Sequence, residues 1–460
     1  MGEAAIRPPV HSARHPCARM PVWHDEYRHS TATTLDPAPL SSLQDSILYD
    51  GTGNHDPRMN SSDDHIYSFD ISRAIAAIAV VLLHWGEFAA PGSLPPFAQA
   101  FGFFYRFGAL AVPLFFVLSG FVFAWLYATP VRHGRITAGS FFVLRFSRLY
   151  PLFFVTFVVI AIEFLLAGNR IGYSFDSLHT DAYHALLTLL MMTGWGLEHG
   201  FSFNGPSWTV STEVFLYGAF FVVVRRFGIR PVTIAAMIVA GLALMPVSVH
   251  LAGGLVQFFA GVAAHRFFVR WSTRQSGAWI VAAAAIAIVL TMAYGHEYRS
   301  RDALALLHDR FPHATKLDTR YQIVRDLLFP ALLFPLVVFL QAALERRLSA
   351  AAAILHHPIV AWAGNVSYSL YLWHYPLMIG CAILAGMTGA SPFLFYSPAI
   401  FLAYAIVLVV ISHLSYYRFE RPMMRCIRAR FAPRRPDAAS SAFCHTNAGR
   451  LRPCPPRTWP

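Results

Sequence analysis

Four short runs place side chains capable of chemistry inside an otherwise apolar sequence. Arg73 and His84 lie eleven residues apart. On a helix, eleven steps of about 100° return to within about 20° of the starting face and climb about 16 Å. Asp70 stands three residues before Arg73 and Glu87 three after His84, spacings that make helical neighbours. An imidazole with an ordinary pKa near about 6.5 can take a proton from a hydroxyl at neutral pH, and a carboxylate can orient it. Arg145 and Arg148 form a second pair, three apart, and paired guanidiniums suit a bidentate anion such as phosphate. Ser211 and Glu213 follow Trp208 in a third run, and Ser367, Tyr371 and His374 share one stripe in a fourth, ahead of Pro376. Each run also has a purely structural reading: Arg73 snorkelling to headgroups, His84 bonded to a neighbouring helix, Arg145 and Arg148 as flanking charge, and an aromatic belt with a proline kink around His374.

What must position these residues is a set of membrane helices. The chain has 460 residues, 56% of them hydrophobic and 13% charged, with a mean hydropathy of +0.47; about 25% charged residues would be ordinary for a soluble domain. The class is all-α, a polytopic integral membrane protein of ten spans, near 71–90, 108–128, 149–167, 208–224, 231–249, 252–269, 277–294, 326–343, 362–386 and 394–414. Each is long enough for a hydrocarbon core that takes about 20 apolar residues. The run His184 to Trp195 is too short and reads as interfacial or re-entrant. Arginines crowd alternate loops, at 132–148, 225–230, 266–274, 346–347 and beyond 418, which sets both termini on the cytoplasmic side. The net charge of +12 is then mostly topology and calls for no nucleic acid.

Residues 1–66 and 423–460 are polar and lack apolar periodicity, so the sequence predicts a disordered N-terminal segment, a membrane domain over 67–422 and a disordered basic tail. Met59, just ahead of the first span, is a candidate natural start. The five cysteines include no C-x-x-C pair, and no metal site is expected.

Together these runs resemble the membrane acyltransferase-3 family. Arg73-x10-His84, the stretch from Val112 through Ser119-Gly120, Arg145-x-x-Arg148-x-x-Pro151, Ser207-Trp208 with Ser211 to Glu213, Ser367 through His374-x-Pro376, and the closing Tyr417 to Pro422 with Glu420 occur in that family's order. The resemblance covers roughly Tyr67 to Pro422. It departs at the family's Leu-Asp-Gly-Leu-Arg-Gly run, which reads Phe69-Asp70-Ile71-Ser72-Arg73-Ala74 here. Some relatives append an extracytoplasmic hydrolase-like domain, and fewer than fifty residues follow the last span here, so a stand-alone form is expected.

The resemblance implies transfer of an acetyl or other short acyl group from acyl-CoA to a hydroxyl of a carbohydrate, such as a surface polysaccharide or lipopolysaccharide O-antigen, in the bacterial cytoplasmic membrane. No bound cofactor is implied, acyl-CoA being a substrate. It assigns Arg73, His84 and Glu213 to catalysis, Arg145 and Arg148 to acyl-CoA, and Ser119, Ser211, Tyr371, His374 and Glu420 to support. Glu213 or Glu87 is expected to orient His84, and transfer runs either directly or through an acyl-imidazole or acyl-serine relay. The alternative from another class is a transporter or flippase of glycan precursors, with the same ionisable residues lining a path.

Overall fold

In the computed structural model the described residues are 65–88, 94–167, 178–274, 276–308, 315–348 and 354–431, with two short strands at 444–445 and 451–452. The N-terminal segment up to residue 64, with Met59, and most of the tail beyond 431 lie outside them. In chain order the helices are α1 (Tyr67–Gly86), α2 (Ala98–Phe107), α3 (Ala111–Arg132), α4 (Ala138–Ala167), α5 (Ala182–Leu189), α6 (Trp208–Phe227), α7 (Pro231–Ala243), α8 (Val249–Arg274), α9 (Gly277–His308), α10 (Thr315–Glu345), α11 (Pro358–Thr388), α12 (Pro398–Leu414) and α13 (Arg421–Phe431). A π-helical turn, Ser415–Glu420, joins the last two. Among the described residues, nine helical stretches are long and apolar enough to cross a membrane. The protein is a multi-pass, all-α membrane protein.

The expected span that is missing from these nine, 231–249, is the short helix α7. Thirteen residues rise about 20 Å against a hydrocarbon core of about 30 Å. Its end has a local cause, because Pro246 follows three residues on and neither continues a helix nor favours one just before it. Two other boundaries differ. Helix α4 starts eleven residues before its expected span, so Arg145 and Arg148 stand within a helix instead of at its mouth. Helix α9 runs on to His308 and α10 begins at Thr315, so much of the expected 295–325 loop is helical.

Burial ranks the helices. The α8 window is 78% buried and the α9 window 11%, so α8 belongs to the centre and α9 shows lipid its apolar side chains, Val281, Ile288 and Met292 among them. Helix α8 crosses α3 through two glycines: a Cβ at Gly120 would lie 1.8 Å from the Phe258 carbonyl oxygen, and one at Gly261 would lie 2.0 Å from that of Val117. Close backbone contact of this kind supplies dispersion energy where lipid removes the hydrophobic drive between helices. Helix α1 packs chiefly on α11, α4 also packs on α11, and α3 packs on both α1 and α6, which links the four motif-bearing helices α1, α4, α6 and α11.

Helix α1 is fixed at its start by α10. Two otherwise orphaned N–H groups, those of Tyr67 and Ser68, donate to the two Glu345 carboxylate oxygens at 2.8 and 2.9 Å, a charged cap that favours a helix N-terminus. One turn on, Gln341 Nε2 donates to Ser72 Oγ at 2.6 Å.

Candidate active site

Helix α1 carries two polar centres, one at each end. At the first, buried Asp70 accepts from Arg73 Nη1 at 3.4 Å and contacts His65 Nε2 at 2.8 Å. Its side chain lies against Gly364 of α11, where a Cβ would fall 2.4 Å from the Asp70 Cβ; the glycine lets the two helices close over the carboxylate. Arg73 lies within electrostatic reach of Arg148, Glu213 and Tyr217 as well as Asp70.

Arg145 sits in an aromatic cage. Its guanidinium lies 4.6 Å from the Phe123 ring centroid, 4.5 Å from Tyr127 and 5.9 Å from Tyr217, and it donates to the Tyr127 hydroxyl. Glu213 accepts from Tyr217 OH at 2.5 Å and from Ser119 Oγ at 3.0 Å. The side chains Ser119, Phe123 and Tyr127 recur every fourth residue on α3, and Glu213 and Tyr217 do so on α6, so two helical stripes enclose the arginine. Arg148, three residues from Arg145, also interacts electrostatically with Glu420 and Arg428. The buried Glu420 accepts from Ser369 Oγ at 2.5 Å and Ser415 Oγ at 3.1 Å. Four guanidiniums, of Arg73, Arg145, Arg148 and Arg428, thus share three carboxylates, of Asp70, Glu213 and Glu420. The local positive excess suits an anion.

At the second centre His84 Nδ1 meets Glu87 Oε1 at 2.8 Å. A carboxylate oxygen accepts, so the Nδ1 proton points to Glu87 and Nε2 keeps its lone pair. The His84 ring stacks on His374, with centroids 5.2 Å apart and planes at 29°, and meets the edge of Tyr375 at 5.5 Å. His374 is fully buried. Its Nδ1 donates to the Tyr371 carbonyl, which leaves Nε2 as an acceptor with no hydrogen-bond partner. Two stacked imidazoles therefore each keep an Nε2 lone pair, one ring about a fifth exposed and one enclosed.

Residues 203–209 cover this centre. Asn204 Nδ2 donates to the Leu372 carbonyl at 3.2 Å. Tyr371 OH contacts the Pro206 carbonyl at 2.9 Å and Thr209 Oγ1 at 2.7 Å. The side-chain oxygens Asn204 Oδ1 and Ser207 Oγ are buried without protein partners, which leaves them able to accept from an ordered water or a bound group.

The family comparison decides which chemistry this geometry belongs to. A family model described as an acyltransferase domain, the acyltransferase-3 model, matches residues 66–416. The chain belongs to the acyltransferase-3 family. Curated relatives of this acyltransferase-3 chain include the peptidoglycan O-acetyltransferase OatA of Listeria monocytogenes, 25% identical over 340 residues, which is 69% of this chain and 50% of OatA. The acyltransferase MdmB of Streptomyces mycarofaciens is 34% identical over 131 residues, 27% of this chain and 31% of MdmB. Nodulation protein 10 of Rhizobium leguminosarum is 32% identical over 113 residues, 25% of this chain and 29% of that protein. The matches span less than two thirds of these relatives' own lengths. No solved structure matches the chain.

For this acyltransferase-3 chain, the structure brings most of the expected residues into the two centres but divides them differently. Arg73, Arg145, Arg148, Glu213, Ser119 and Glu420 gather at the first; His84, His374 and Tyr371 gather at the second. The carboxylate that reaches His84 is Glu87, because Glu213 is held by Ser119 and Tyr217 among the arginines. Glu213 still lies within electrostatic reach of Tyr371, whose ring is 5.7 Å from His374, so it stands between the centres. Ser211 joins neither: its hydroxyl bonds Thr193 Oγ1 at 2.8 Å and its carbonyl accepts from Trp195 Nε1 at 3.2 Å, tying the segment before α6 to that helix. Ser367 donates to Gly364 within its own helix at 2.7 Å. Sequence reasoning passed over the cage of Phe123 and Tyr127, Arg428, and Asn204. The four-residue stripe on α3 carries a readable signal for the cage; nothing local marks the other two.

Proposed function

We propose that this chain is a membrane-bound O-acyltransferase of the bacterial cytoplasmic membrane, moving an acetyl or other short acyl group from acyl-CoA to a carbohydrate hydroxyl. The observation that carries the proposal is the spacing of the two centres on one helix: an arginine-rich site at one end of α1 and a stacked pair of imidazoles about 16 Å along it. Coenzyme A is a polyanion with a long thioester arm, so a charged end held at Arg145, Arg148 and Arg73 leaves the arm to reach towards His84. In this reading the Arg73 end and both termini face the cytoplasm, and the acceptor meets the His84 end.

His84 Nε2 takes the proton of the acceptor hydroxyl as the oxygen attacks the thioester carbonyl carbon. The carbon–sulfur bond breaks, and the thiolate leaves with the proton returned from the imidazolium. Glu87 holds the Nδ1 proton and stabilises the cation that forms. His374 keeps the His84 ring stacked in place. The relationship to OatA, named a peptidoglycan O-acetyltransferase, supports a carbohydrate acceptor.

Purified protein in liposomes, given labelled acetyl-CoA and a polysaccharide acceptor, is expected to yield acylated product and free CoA in equal amounts. Uptake of the acceptor without covalent change would overturn the proposal in favour of a transporter.

A further inference from the structure

Away from both centres, the segment between α4 and α6 holds a compact cluster of metal-ligating side chains. His179 ends strand β1 (Leu178–His179), which pairs in parallel with β2 (Phe201–Ser202). Asp181 is the N-cap of α5, its carboxylate accepting from the His184 amide at 3.0 Å; that bond holds the carboxyl below the usual carboxylate range. His184 Nδ1 lies 2.7 Å from Asp181 Oδ2, and the His179 ring stacks on the His184 ring at 4.8 Å with planes at 16°. One ligand atom from each of the three residues lies within 4.8 Å of the others.

We propose that His179, Asp181 and His184 form a site for a divalent transition cation, zinc foremost. Two imidazoles and a carboxylate are the donor set that zinc favours where three protein ligands leave a fourth position open. Bonds of about 2.0–2.1 Å in a tetrahedral shell put ligand atoms about 3.3 Å apart. The cluster reaches that spacing by spreading one pair about half an ångström and closing the widest by about one and a half. The adjustment falls to Asp181, whose side chain is 54% exposed, and to the half-buried His179. The cation takes the place of the proton on His184 Nδ1, which passes to Nε2, and the His199 N–H that donates to Nε2 at 3.3 Å turns aside to water.

The buried half of the site is already rigid. Ser202 pairs in register with His179, donates to the His184 carbonyl at 3.1 Å and bonds Thr188 Oγ1 at 2.7 Å. One serine thus fixes the backbone of both histidines, and two residues later Asn204 reaches α11 at Leu372. A bound cation would clamp α5 to β1, the pairing partner of the strand that feeds residues 203–209.

The test is cobalt titration of the full chain, purified without a histidine tag and stripped with chelator, followed by its visible ligand-field absorption. The wild type is expected to bind one equivalent of Co2+ with a tetrahedral spectrum that Zn2+ abolishes. Asp181→Asn keeps an oxygen to cap α5 but loses the charged ligand, and is expected to weaken binding at least tenfold, as is His179→Ala. No absorption in the wild type, or the same spectrum and affinity in Asp181→Asn, would overturn the proposal. The readout is independent of acyl transfer.

Discussion

His84 and Glu87 carry the proposed chemistry, and their roles separate in the kinetics. Removing a general base costs about 10²–10⁴ in rate, so His84→Ala is expected to lose at least a hundredfold in kcat while reaching the membrane at wild-type levels. Glu87→Gln leaves the imidazole but loses the charge that stabilises its protonated form; a drop in kcat of about tenfold with little change in acceptor KM is expected from steady-state assays of the same preparations. At the other centre Arg148→Ala should raise the KM for acyl-CoA about tenfold, the scale of one charge-assisted hydrogen bond. The contacts of Asp70 with Arg73 and of His84 with Glu87 were legible in the sequence because three-residue spacing on a helix makes neighbours. The full partner set of Glu213 was not. Tyr217 lies at the readable four-residue spacing, but Ser119 comes from α3, and long-range helix pairing leaves no trace in a local pattern.

At the scale of elements, two devices hold α1 and its neighbours in register. Glu345 caps the first N–H groups of α1 from nearly 280 residues away. Glu345→Ala leaves those groups without their cap, a loss of up to about 2 kcal/mol on the scale of a helix N-cap, and a lowered unfolding temperature in detergent should report it. The Gly120 and Gly261 crossing is less forgiving. With a Cβ 1.8 Å from the Phe258 carbonyl oxygen, Gly120→Leu must separate α3 from α8 and move Ser119 away from Glu213, so little folded protein is expected on size-exclusion chromatography. Apolar length predicted nine of the ten spans; it failed at 231–249 because Pro246 divides an apolar run that composition alone reads as continuous. The extension of α4 back to Ala138 escaped notice for the opposite reason, since arginines at 145 and 148 look like a boundary until aromatic side chains from α3 and α6 are seen to surround one of them.

For the whole molecule, the placement of charge is the main result. Few ionisable groups enter the spans, and apart from Glu163 of α4 and His250 and His265 of α8 the buried ones described above fall into a cationic centre and an imidazole centre at opposite ends of α1. Under the proposed function that arrangement gives the protein a direction, donor on one side and acceptor on the other. The family was legible because its motifs are short and local, whereas the division of labour among them depends on how α1, α3, α4, α6 and α11 meet. Orientation is checked by single-cysteine labelling of intact cells: a cysteine in the loop at Gly134 should be shielded from an impermeant reagent and one at Glu198 should react.

The central claim is that donor binding and group transfer occupy the two ends of α1. Its most direct test is to measure acyl-CoA affinity and single-turnover transfer on the same reconstituted samples of wild type, Arg148→Ala and His84→Ala. The account predicts that His84→Ala binds acyl-CoA as tightly as the wild type but transfers nothing, while Arg148→Ala binds about tenfold more weakly and transfers at a near-normal rate once saturated. Weakened donor binding in His84→Ala with transfer intact would contradict it.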